Sequence, residues 1–191
     1  GFSGFFSKDA IIEAVGHSEL AGSGFAYIAV LLGVFITALY SFRMFFLVFP
    51  GKERMDEHTR SHLKESPWVV TVPLILLAIA SVVIGGMTIG PMLFGDYFGS
   101  ALVVFSQHDV LGQMGEHFTG AIGFMLHGMM SPAFVLAMAG LGTAYYIYML
   151  KPQIASDYKE KYLAIYDLLD RKYGFDDFND KIFDGGFRKI G

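Results

Sequence analysis

The sequence of 191 residues contains no cysteine. This excludes disulfides, thiolate zinc sites, Cys-ligated iron–sulfur clusters and a cysteine nucleophile. Charge is scarce too. Asp, Glu, Lys and Arg together make up 17% of the residues, where soluble domains carry about 25%. The formal net charge is −4 and no block of Lys or Arg gathers, which argues against a nucleic-acid partner. No methionine or basic region stands before the first apolar residues, so no signal peptide is expected, and the chain reads as part of a longer one.

What fills the sequence instead is apolar. Hydrophobic residues account for 53% of it, and the mean hydropathy is +0.47. No Asp, Glu, Lys or Arg occurs from Leu20 to Phe42, from Ser66 to Gly95, or from His117 to Leu150. A helix crossing the hydrocarbon core needs about 20 mostly apolar residues, and each stretch can supply one. The expected fold is therefore all-α: a polytopic transmembrane helix bundle over residues 1–150, then an amphipathic segment over 151–191. Spans are predicted at about 1–15, 25–49, 69–93 and 130–150. Pro50-Gly51 ends the second, and Trp68 stands where indole favours the membrane interface.

Residues 96–128 are glycine-rich and hold no Lys or Arg, which suits a compact loop or an interfacial segment. Beyond Lys151-Pro152, Tyr158, Tyr162, Ile165, Tyr166, Leu169 and Tyr173 recur at helical spacing, with Lys159, Glu160, Asp167 and Arg171 on the other face. Such a segment lies along a membrane surface or on partner helices. Lys52, Arg54, Arg60 and Lys64 fill one connector, and Lys151, Lys159 and Lys161 follow the last span. By the positive-inside rule both are predicted to be cytoplasmic, which puts residues 96–128 outside.

The sharpest local signal is Lys8-Asp9 inside an otherwise apolar run. Nine residues of helix, about 13 Å, separate Lys8 from His17. A charge at that depth costs at least ~2.5–3.5 kcal/mol and calls for a partner, water or a function. A lysine suits a proton relay, because burial lowers its pKa and a nearby carboxylate restores the charged form. The alternative is a lysine that snorkels, with Asp9 as its local counter-ion. Arg43 has the same two readings, snorkelling or a proton path. His108, His117 and His127 lack a helical ligand spacing, so no metal site is expected.

Three motifs carry a resemblance. They are Gly4-Phe5-Phe6-Ser7-Lys8-Asp9, then Leu39-Tyr40-Ser41-Phe42-Arg43-Met44 with Phe49-Pro50-Gly51-Lys52-Glu53, and finally Tyr173-Gly174-Phe175-Asp176-Asp177-Phe178-Asn179-Asp180-Lys181-Ile182-Phe183. Together they resemble the subunit L family of bacterial NADH–quinone oxidoreductase, respiratory complex I. The resemblance implies the last helices of an antiporter-like core and the start of a lateral helix on the cytoplasmic face of the bacterial inner membrane. It implies that Lys8 exchanges protons with an external half-channel, that Asp9 is its charge partner, and that Asp180 and Lys181 pair with each other or with neighbouring subunits. NADH, FMN, iron–sulfur clusters and quinone are implied in partner subunits, with no cofactor held by this chain. The implied partners are the other membrane-arm subunits of complex I, above all its antiporter-like ones, and the lipid bilayer. A cation/proton antiporter subunit of the Mrp type shares the Phe-Phe-Ser-Lys-Asp region and is one alternative. A segment that only clamps the assembly is another.

Overall fold

The computed structural model describes residues 2–184 except 52 and 54, and within these it is helical without a strand. The basic residues Lys52 and Arg54, and the tail beyond 184, lie outside the described residues. Helix α1 is Ser3–His17, α2 is Ser23–Val48, and a short α3, Glu57–His62, lies in the hydrophilic connector. Helix α4, Trp68–Ile89, continues as a π-helical turn over Gly90–Phe94. Two short helices, α5 (Val110–Glu116) and α6 (Gly120–Met129), precede α7, Pro132–Tyr145, which also ends in a π-helical turn, Tyr146–Leu150.

Three of these helices are long and apolar enough to cross a membrane: Ser23–Val48, Trp68–Phe94 and Pro132–Leu150. They agree with the second, third and fourth expected spans to within two residues at each end. The first does not suffice alone. At 15 residues, α1 extends about 22 Å, short of a hydrocarbon core of about 30 Å.

Direction follows from which residues meet. The α2–α7 contact is the most extensive in the molecule. Tyr27 and Ala133 line one cavity near the starts of the two helices. Midway, a side chain at Gly140 would meet the Phe35 carbonyl and Ala38. At the far end the Phe46 and Tyr145 rings lie 5.5 Å apart. These helices therefore run parallel, and their ends emerge on the same side. The connector after α2 and the tail after Lys151 share that side, as the basic residues require. The 16–24 loop and the start of α7 lie on the other.

Helix α1 lies beside the last turns of α4. The Ser3 hydroxyl donates to the Ser81 carbonyl (2.8 Å) and accepts from the Gly85 amide (3.1 Å). Gly85 is needed there, since a Cβ would stand 2.6 Å from the Ser3 Cα. Phe6, Ala10, Ile89, Met114 and Phe124 form the core where α1, α4, α5 and α6 converge. Residues 96–128 are thus more ordered than the expected loop, because α5 and α6 place Met114 and Phe124 against α1.

The tail departs from a continuous amphipathic helix. It forms α8 (Gln153–Lys161), α9 (Leu163–Asp170) and α10 (Phe175–Asn179), followed by a π-helical turn, Asp180–Asp184. The break before α10 is steric: Lys172, Tyr173 and Gly174 all have positive φ, at 49°, 59° and 76°. An α-helix cannot pass through left-handed residues.

Candidate functional site

Each residue of an α-helix is rotated about 100° from the last, so Lys8 and Asp9 cannot face the same way. Asp9 turns into the bundle and is 9% exposed; Lys8 is exposed and makes no ion pair among the described residues. The expected lysine–aspartate couple is therefore split, with the acid inside. Gly128 of α6 makes room for it. A Cβ at Gly128 would stand 2.5 Å from the Asp9 Oδ2 and 2.6 Å from the Phe5 ring.

Two further titratable groups join Asp9. Glu13 lies one helical turn further along α1 on the same face. His127 of α6 brings Nε2 to 3.9 Å from the Glu13 carboxylate. A cavity of about 410 Å³ is lined by Asp9, Glu13, His17, Tyr27, His127 and the α6–α7 break. The site thus gathers two acids and two imidazoles next to space for water.

The break between α6 and α7 is built from local chemistry. Pro132 has no amide hydrogen to give to the Gly128 carbonyl, four residues back. The Ser131 hydroxyl donates to that carbonyl instead, at 2.7 Å, and accepts from the Phe134 amide at 3.3 Å, capping α7. Backbone polar groups freed inside an apolar bundle are thereby satisfied.

The other candidate residues lie elsewhere. The Arg43 guanidinium sits 5.6 Å from the centre of the Tyr148 ring, where the ends of α2 and α7 meet. That position fits snorkelling to the interface on the side of the connector. Asp180 and Lys181 are exposed at the end of the tail, and neither forms an ion pair among the described residues. No three His, Asp or Glu side chains among the described residues are grouped to hold a metal ion.

Sequence reasoning missed Glu13 as a site residue, and it weighed His127 only as a weak metal ligand. The i, i+4 pair Asp9–Glu13 on an apolar helix was visible. That His127 would meet it required knowing that α6 packs across α1.

No protein-family model matches the chain. It is 42% identical over 207 residues to NADH-quinone oxidoreductase subunit L of Neisseria meningitidis serogroup B, across 100% of this chain and 31% of that protein. It is 32% identical over 176 residues to F(420)H(2) dehydrogenase subunit L of Methanosarcina mazei, covering 91% of this chain and 26% of the relative. With NADH-ubiquinone oxidoreductase chain 5 of Cryptococcus neoformans var. grubii the identity is 30% over 193 residues, 97% of this chain and 28% of the other. The chain spans between a quarter and a third of the length of these relatives.

Proposed function

The chain belongs to the NADH-quinone oxidoreductase subunit L family, and on that footing we propose that it is part of a proton-translocating membrane subunit of such a complex. The observation that supports this is a lysine and an aspartate adjacent in sequence, Lys8 and Asp9, on a helix packed among membrane-crossing helices, with Asp9 turned towards other titratable groups. The chemistry asked of these residues is electrostatic gating. Lys8 and Asp9, on different faces of α1, are the groups on which a neighbouring charge would act. A change in charge elsewhere in the membrane arm would favour loading or unloading of a proton at these residues. Oxidation of NADH and reduction of quinone would take place in partner subunits, which carry FMN and the iron–sulfur clusters. A sequence without cysteine offers no thiolate for such a cluster.

In this reading the connector and tail face the cytoplasm and the α5–α6 segment faces outward, in a bacterial inner membrane. The exposed apolar side chains of α9 and α10, among them Leu168, Leu169, Phe175 and Phe178, favour a second role. The tail would seat on neighbouring membrane-arm subunits.

The test is Lys8→Ala in the complete subunit, assembled in its complex. Proton ejection per NADH oxidised is expected to fall while assembly on native gels is unchanged. Ejection at the wild-type ratio in a fully assembled complex would sink the proposal.

A further inference from the structure

Beyond the cavity that holds Asp9 lies a second one of about 260 Å³, lined by His117, Thr119 and the Phe94 and Phe118 rings. Among the described residues the two cavities have only Glu13 and His127 as common lining residues. We infer that Glu13 and His127 form the outward proton carrier of this region, taking protons from the Asp9 cavity and releasing them into the His117 cavity. This rests on the proton-translocating role proposed above, and it names the groups through which the proton leaves.

Glu13 follows Asp9 by four residues, so their Cβ atoms stand about 5–6 Å apart, a separation one water can bridge. A proton leaves the Asp9 carboxyl, which becomes a carboxylate, and Glu13 gains it. Glu13 then passes it to Nε2 of His127, 3.9 Å away in the structure, once the two side chains close to hydrogen-bond distance, forming imidazolium. Loss of that proton to water restores the starting pair. His127 suits the last step, because its side chain is 73% exposed, whereas that of Glu13 is 25% exposed. The other titratable groups facing the pair are Asp9 and His17 from α1, Tyr27 from α2 and His117 after α5. His17 opens on the Asp9 cavity and is the rival exit.

The experiment uses the complete complex in sealed proteoliposomes and compares Glu13→Gln, Glu13→Asp, His127→Asn and His17→Asn with Lys8→Ala. Glu13→Gln and His127→Asn are each expected to remove the share of proton ejection that Lys8→Ala removes. Combining Glu13→Gln with Lys8→Ala is expected to cause no further loss, since both lie on one path. Glu13→Asp is expected to keep ejection with a displaced dependence on external pH, which a merely structural residue would not produce. Wild-type ejection in Glu13→Gln and His127→Asn, beside a loss in Lys8→Ala, would overturn the carrier pair and leave the wider proposal standing. A loss confined to His17→Asn would overturn it in favour of the direct exit. Wild-type ejection in Lys8→Ala would count against the wider proposal itself.

Discussion

The residue that most constrains the site carries no functional group. Gly128 lets α6 approach α1 closely enough for Asp9 to be covered and for His127 to reach Glu13. A methyl group there would overlap both the Asp9 carboxylate and the Phe5 ring. Overpacking of this kind costs about 1–3 kcal/mol. Gly128→Ala is therefore expected to lower the midpoint of thermal unfolding and to impair proton ejection, measured on the same purified complex. Unchanged values in both would show that α6 does not pack on α1 as described. Nothing about Gly128 distinguishes it in the sequence, where glycines are frequent. Lys8 was conspicuous as a charge in an apolar run, yet that Asp9 and not Lys8 is turned inward follows only from which face of α1 meets α6.

Among the elements, the membrane-crossing helices were legible and the short ones were not. A span is declared by a long run without charge, because every missing charge removes an insertion penalty. Helices of seven and ten residues such as α5 and α6 have no comparable signal, and their stability comes from packing. Helix α3 is also short, but its start can be tested directly. The Asp56 carboxylate accepts from the Thr59 amide at 3.0 Å. That hydrogen bond holds the Asp56 carboxyl below its ordinary value of 3.8. A carboxyl lowered in the folded state stabilises it above the unfolded value and loses that contribution as pH falls through the folded one. Exchange of the Thr59 amide is therefore expected to be slow near neutrality and to lose protection in acid. Asp56→Ala should remove the protection at neutral pH as well. Equal protection in variant and wild type would refute the cap. In the tail, periodicity correctly showed an apolar face but not the break, since positive φ at Lys172 and Tyr173 leaves no mark on hydropathy.

At the scale of the whole molecule, the parallel packing of α2 and α7 fixes which ends share a side. The pair is close because Gly140 has no side chain: a Cβ would lie 2.6 Å from the Phe35 carbonyl oxygen and 2.8 Å from the Ala38 Cβ. Small residues serve helix contact in membranes in this way. Gly140→Leu is expected to separate the helices and lower the unfolding midpoint strongly. Gly142→Leu, where nothing lies within 4 Å of the Cβ position, should be tolerated. Similar midpoints for the two variants would contradict the contact.

The sequence by itself determined that this chain lives in a membrane, roughly where it crosses, and which of its ends lie together. These properties depend on hydropathy and on the placement of Lys and Arg, quantities summed along the chain. Its family was visible too, in three short motifs. Only the tertiary structure decided that Asp9 rather than Lys8 faces inward, that Glu13 meets His127, and that two cavities share this pair. Those outcomes depend on the approach of helices distant in sequence, governed by glycines and by the Ser131-Pro132 break, and steric fit of that kind has no periodicity to read.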